Sequence, residues 1–279
     1  MNEIKKGDNV TRNSYNNDVV FCVKKIIKLS NNKKIAILKG IDIRIEADAY
    51  IEDLKLINKE EIQKHEKELE KRILNTIPNT NLEKRTKEII KTGKILHLDG
   101  DKKYADKSMM FYKKMGLKAF VKNIPENRQP KAVYRLLSIY NPDILVITGH
   151  DGMIKNNSKY LDLLNYRNSK YFIETVKNAR KYEKMSQKDL VIFAGACQSY
   201  FEALMEAGAN FASSPARILI DFLDPLIVAK NVAITEKNKY ITIDDFENEL
   251  RDGKKGVNGL GARGKMGIMF IWIFNVTKK

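Results

Sequence analysis

From residue 94 onward, short unbroken apolar runs alternate with longer stretches of helical period. The runs are Ile95-Leu-His-Leu98, Ala119-Phe-Val121, Ile144-Leu-Val-Ile-Thr148 and Leu190-Val-Ile-Phe-Ala194. A strand covered on both faces has no polar side to display, so it reads as a continuous run rather than an alternating one. Helical stretches lie between them: one reaching Met115, one from about Glu126 to Tyr140, and one from about Tyr171 to Tyr182. A last one carries Phe201, Leu204, Met205 and Ala207 and closes at Gly208. This succession predicts an α/β fold, a mostly parallel sheet flanked by helices. Further short strands are expected at 210–212 and 226–228, and Met266 to Phe274 reads as a buried closing strand.

The first 57 residues follow another rhythm. Val19 to Val23, Lys34 to Leu38 and Ile41 to Ile45 are strand-like pieces punctuated by Asn16-Asn17, Asn31-Asn32 and Gly40. They predict a small N-terminal β domain over 1–57, SH3-like in size, with Cys22 in its core. Residues 58–92 are charged and helix-forming, a linker in which His65 should face solvent. Pro78 breaks that segment, so Lys71-Arg72 and Lys84-Arg85 are expected to be open to proteolysis. The third unit is 93–279.

Two of the apolar runs end in residues that can do chemistry. One continues Thr148-Gly-His150-Asp-Gly152, the other Gly195-Ala-Cys197-Gln-Ser199. Neighbouring parallel strands built this way can bring a thiol and an imidazole together at one sheet edge, the minimum for a thiolate nucleophile with a general base. Cys197 should open a helix, whose partial positive charge favours thiolate. Gly152 and Cys197 could supply backbone N–H groups to an oxyanion. The plainer alternatives are a packed core cysteine and a structural histidine. Cys197, however, lies past its apolar run, and His150 sits between Gly149 and Asp151. His97, inside its run, is expected to be buried.

Composition narrows the field. The 279 residues carry 51 basic and 35 acidic side chains, a net charge of +16. That excess suits an anionic partner, but no dense basic block marks nucleic acid as the target. Two cysteines make no disulfide framework, and no His/Cys/Asp/Glu cluster has metal-ligand spacing. No apolar run approaches a membrane span, and Met1 to Asp8 shows no signal-peptide core, so a cytoplasmic protein with no cofactor is expected. Gly259-Leu-Gly-Ala-Arg-Gly264-Lys265-Met266 imitates a nucleotide loop. Met266 stands where a hydroxyl is required and a strand follows in place of a helix, so a mobile basic loop is expected instead.

An apolar block ending near His-Gly, then another ending in Ala-Cys, resembles the caspase-like cysteine peptidases. Asp151, between His150 and Gly152, departs from their pattern. Gly149 to Gly152, Gly195 to Ala203, Ala207 to Pro215 and Leu223-Asp-Pro225 more closely resemble the YabG family of sporulation-specific cysteine peptidases. The resemblance implies a caspase-like domain with Cys197 as nucleophile and His150 as base. It implies protein substrates of the spore coat and cortex, and residence in the sporulating mother cell or at the spore coat. By likeness to arginine-cleaving relatives, Asp99 or Asp101 would pair with a substrate guanidinium, and Ser213 and Ser214 would form the opposite wall. Cleavage after Arg, self-cleavage included, follows. The alternatives are a glutamine-amidotransferase-like thiol hydrolase, whose elbow wants Gly where Ser199 stands, and a non-catalytic nucleic-acid or coat-binding protein.

Overall fold

The computed structural model describes residues 3–58, 60–64, 67–68, 71, 88–154 and 160–270. The expectations for His65 and for cuts after Arg72 and Arg85 fall outside them. An N-terminal unit contains β1 (Asn9–Arg12), β2 (Phe21–Lys28), β3 (Lys34–Gly40), β4 (Glu46–Tyr50) and β5 (Leu54–Leu56). These form one antiparallel sheet in the order β4-β3-β2-β1-β5. Cys22 pairs within β2 but is only half-buried, because its neighbours Phe21 and Val23 take the inward side of the strand.

The larger unit begins with β6 (Glu88–Lys91), β7 (Ile95–Asp99), α1 (Lys102–Lys114), β8 (Ala119–Asn123), α2 (Gln129–Tyr140) and β9 (Ile144–Thr148). It continues with α3 (Ser169–Ser186), β10 (Val191–Ala194), α4 (Phe201–Glu206), β11 (Phe211–Ser213) and α5 (Asp224–Ile234). The last strands are β12 (Tyr240–Ile241), β13 (Val257–Gly259), β14 (Ala262–Arg263) and β15 (Gly267–Phe270). The main sheet runs β13-β11-β10-β9-β7-β8, parallel throughout except for β13.

Alternation along the strands divides the core in two. Ile95, Ile144, Val146, Val191 and Phe193 pack with Tyr104, Phe111 and Tyr112 of α1 and with α5. Leu96, Leu98, Leu145, Ile147, Ile192 and Ala194 pack with Val133 and Leu137 of α2 and Phe172, Val176 and Ala179 of α3. Both faces are covered, and the unbroken apolar runs follow from that. Among the described residues no helix is long and apolar enough to cross a membrane.

Three local expectations need correction. Residues 226–228 are not a strand; they lie in α5, which has Pro225 in its first turn and is buried nearly all round. A helix without a polar side cannot be told from a buried strand by periodicity. The segment 259–266 is not a free loop, since β13 pairs with β11 and β14 with β12. Its glycines are required by close backbone approach: a side chain at Gly259 would collide with the Asn210 carbonyl, and one at Gly264 with that of Thr235. Lys265 is buried and donates to Asp189 Oδ2 at 2.6 Å. The closing strand is seen from Gly267 to Phe270, paired with β6 rather than joined to the main sheet.

Candidate active site

β9 and β10 run parallel with Ile147 opposite Ala194. His150 and Cys197 each lie three residues beyond that matched pair, so both leave the sheet at its carboxyl edge, where open α/β sheets carry their ligands. On the other side of β9, Asp99 at the end of β7 stands opposite Thr148.

The His150 ring lies between two carboxylates, with Nδ1 3.7 Å from Glu126 Oε1 and Nε2 3.4 Å from Asp101 Oδ2. The His150 amide also donates to Glu126 Oε1, at 2.7 Å. Burial raises the Glu126 carboxyl, but bonds from the His150 ring and amide outweigh it and hold the group below the usual carboxylate range. Side chains at Gly100 or Gly149 would fill the space that the Glu126 carboxylate occupies. Asp101 caps α1, accepting the Lys103 amide at 2.8 Å, and pairs with Lys39 of the N-terminal unit. Against the cost of its burial, Lys39 first and then His150 keep Asp101 ionised. Tyr104 stands edge-on to His150, ring centres 6.3 Å apart.

Cys197 is 1% exposed and shares an apolar cluster with Ile43, Leu38 and Ile220. Its sulfur accepts from the Ile220 amide at 3.4 Å. Burial pushes the thiol up to about 11, with the Ile220 amide and the Arg44 charge and amide acting in the opposite direction. The expected thiolate-favouring helix start is absent, because α4 begins only at Phe201. Cys197 instead sits on a braced loop. Asp151 accepts from Ser169 Oγ at 2.5 Å, Ser199 Oγ at 2.9 Å and the Asn168 and Gly152 amides at 2.8 and 2.9 Å. Ser199 Oγ accepts in turn from the Ala196 amide at 2.9 Å. Asp151 thereby ties the histidine loop to the cysteine loop. The Gly152 amide, expected at the oxyanion, is taken up by this brace.

Ser213 and Ser214 are fully buried. Ser213 Oγ donates to the Ala196 carbonyl at 2.9 Å, and Ser214 Oγ accepts from the Gln198 amide at 3.1 Å. They hold the cysteine loop where a pocket wall was expected. Gly195, at φ 115°, is needed there because a side chain would run into Ser213 Oγ.

Asp99 is fully buried and already holds a guanidinium. Arg44 Nη2 donates to its Oδ2 at 2.7 Å, and Arg44 too is fully buried. Tyr112 O–H, His97, Thr148 and Asp99 form a chain with distances of 3.2, 2.7 and 2.9 Å. Burial pulls His97 down to about 3, so it is neutral. A neutral His97 accepting from Tyr112 at Nδ1 donates from Nε2 to Thr148, whose hydroxyl donates to Asp99. Burial raises the Asp99 carboxyl, but Arg44 prevails and holds it low. Among the described residues no group of three or more His, Cys, Asp or Glu could hold a metal ion.

Sequence reasoning missed Arg44, Glu126 and the bracing role of Asp151. Arg44 and Asp99 are 55 positions apart, and nothing local to either residue announces the pair. For Glu126 a faint signal existed: Gly100 and Gly149 follow two adjacent strands, and both make room for one side chain.

Residues 5–270 match the family model described as YabG peptidase U57. The chain is 39% identical over 280 residues to the Sporulation-specific protease YabG of Bacillus subtilis (strain 168), an alignment covering 94% of this chain and 96% of that protein. No solved structure matches. A match running through both the N-terminal β unit and the sheet concerns the whole chain and not only its strand ends: the chain belongs to the YabG peptidases of family U57.

Proposed function

We propose that this chain is a sporulation cysteine endopeptidase that cleaves proteins of the spore coat and cortex after arginine, within the mother cell or at the coat. We read the parallel sheet as a caspase-like peptidase domain over 93–279, the N-terminal unit over 1–57 as an SH3-like barrel, and 58–92 as a linker whose last residues, Glu88–Lys91, form β6 against β15. One observation carries the reading: a guanidinium is seated on buried Asp99 at the sheet edge where His150 and Cys197 end. The carboxylate is fixed by Thr148 and the Asp101 amide, and Arg44 meets it through Nη2 alone. A guanidinium, more weakly hydrated than an ammonium, tolerates such burial better.

In the reaction His150 takes the Cys197 proton, and the sulfur attacks the carbonyl carbon after the substrate arginine. The oxyanion is met by backbone N–H groups, with the Cys197 amide the candidate. His150 returns its proton to the leaving amine as the peptide C–N bond breaks, and water then hydrolyses the thioester. Glu126 holds the ring from its Nδ1 side. The buried, protonated thiol must first be uncovered.

The test is cleavage of a peptide library read by mass spectrometry. Cuts should follow Arg, and Lys less well, and Cys197→Ala should abolish them while Cys22→Ala does not. In an Arg44→Ala background, where no internal guanidinium competes for the carboxylate, Asp99→Asn should raise the barrier for Arg substrates by roughly 2–5 kcal/mol, as when a buried charge pair loses one partner. Cleavage mainly after Asp or apolar residues, or undiminished cleavage by Cys197→Ala, ends this reading.

A further inference from the structure

The guanidinium on Asp99 belongs to the chain itself. Arg44 sits in the turn that joins β3 to β4, residues 40–45, and that turn is anchored along its length to the catalytic unit. Tyr104 O–H reaches the carbonyls of Gly40 and Ile43, at 3.0 and 2.7 Å. Lys107 Nζ donates to the Ile41 carbonyl at 3.1 Å and to Asp42 Oδ1 at 2.8 Å. The Phe222 amide donates to the Asp42 carbonyl at 3.1 Å, and Ile43 pairs antiparallel with Asp221. That single backbone bond and isolated bridge resemble the first rung by which an extended peptide adds to a backbone edge, and side chains supply the other contacts. The residue before Asp221, Ile220, is the one bonded to Cys197 Sγ. The Arg44 guanidinium also lies 4.8 Å above the Tyr104 ring, so it is gripped by a carboxylate and an aromatic face together.

We propose that the 40–45 turn is an intramolecular occupant of the substrate site: Arg44 fills the arginine subsite, and the turn's backbone stands where a substrate strand would pair with residues 220–222. This rests on the arginine-directed peptidase reading and names what holds that site before substrate arrives. Tyr104 becomes a specificity residue beside Asp99. The turn is an inhibitor and not a substrate. After Arg44, the Ile45 amide donates to the Ile43 carbonyl at 2.8 Å, and the Ile45 carbonyl accepts from the Gly40 amide at 2.9 Å. Beyond it β4 is zipped to β3. An amine released at Ile45 would be held in place and would not diffuse away, so water could not displace it. Lys39 adds a second clamp through Asp101, the carboxylate facing His150. A substrate can bind only in the fraction of molecules whose turn has withdrawn.

The test compares full-length wild type with Arg44→Ala and with Lys107→Ala, which keeps the Arg44–Asp99 pair but removes two bonds to the turn. Circular dichroism melting checks the fold of each. Two rates are read: iodoacetamide alkylation of Cys197 and hydrolysis of a short arginine peptide. Both should rise in Arg44→Ala by about tenfold or more, because an occupied site reacts only through its open fraction. Lys107→Ala should shift both in the same direction by less, and wild-type intact mass should show no cut after Arg44. Folded variants with wild-type alkylation and hydrolysis rates overturn the occupied-site inference and leave the peptidase reading standing. Faster alkylation with no hydrolysis of any arginine peptide overturns the inference together with the peptidase reading it rests on, leaving the turn a cover over Cys197 and not an occupant of a substrate site. Prompt cleavage after Arg44 in wild type overturns the inhibitor assignment.

Discussion

Glu126 touches His150 twice, through its ring and its amide, and has no bond to the sulfur. It is a positioning residue, so its loss should slow turnover and spare binding. Glu126→Gln should lower kcat by about ten- to a hundredfold, less than the roughly 10²–10⁴-fold that general-base catalysis itself contributes because the base remains, with KM little changed. Glu126→Asp, which keeps the charge, should recover part of the loss. A rise in KM at constant kcat, from steady-state kinetics on an arginine peptide, would assign Glu126 to substrate binding instead. His97 acts at the same scale by staying neutral. Its folded value of about 3 lies below the unfolded 6.5. Between those limits the unfolded chain binds a proton that the folded chain refuses, so stability falls as pH drops from 6.5 toward 3. The slope from this one group is about 1.4 kcal/mol per pH unit. Urea unfolding across that range should be flatter in His97→Gln than in wild type, and equal slopes would remove His97 as the cause.

At the scale of elements, the strand ends matter more than the strands. β9 and β10 set the register, and their loops are tied chiefly by Asp151, which four donors approach, with a weaker link from the Met153 amide to Gln198 Oε1 at 3.4 Å. Asp151→Ala strands two buried hydroxyls and two partly buried amides. The expected cost is about 3 kcal/mol, typical of losing buried bonds to a charged group. Chemical denaturation measures it, and a change under about 0.5 kcal/mol, the range of ordinary surface substitutions, would show the brace to be dispensable. How much of this was legible depends on burial. The two-faced runs at 95–98, 144–148 and 190–194 declare their strands because every position but His97 and Thr148 is apolar. The run at 226–228 declares nothing, since α5 is covered on all sides and an enclosed helix shows no period to read.

For the whole molecule, the N-terminal unit is on our proposal both neighbour and occupant of the larger unit, and the chain between them is expected to decide how strongly. While the chain is continuous, Arg44 is presented to Asp99 at high effective concentration, and a cut between the units makes that contact bimolecular. We expect purified wild type to show a lag in hydrolysing an arginine peptide. The lag should shorten as protein concentration rises, and terminal sequencing should place cuts after Arg72 or Arg85. The Cys197→Ala protein should stay whole. A linear progress curve with an uncut chain at full activity would show that the linker plays no part in release.

Local chemistry already contained the parallel sheet, the small β unit before it and the two strand ends bearing His150 and Cys197, because solvent exclusion and turn formation act over a few neighbouring residues. The pairing of Arg44 with Asp99, the enclosure of Cys197 under Ile43, and the bracing of two loops by Asp151 were decided by the packing of one unit against the other and of one loop on the next. Those contacts join residues tens of positions apart, and only the folded chain brings their charges out of water together, where an ion pair and a thiol take on the character their surroundings impose.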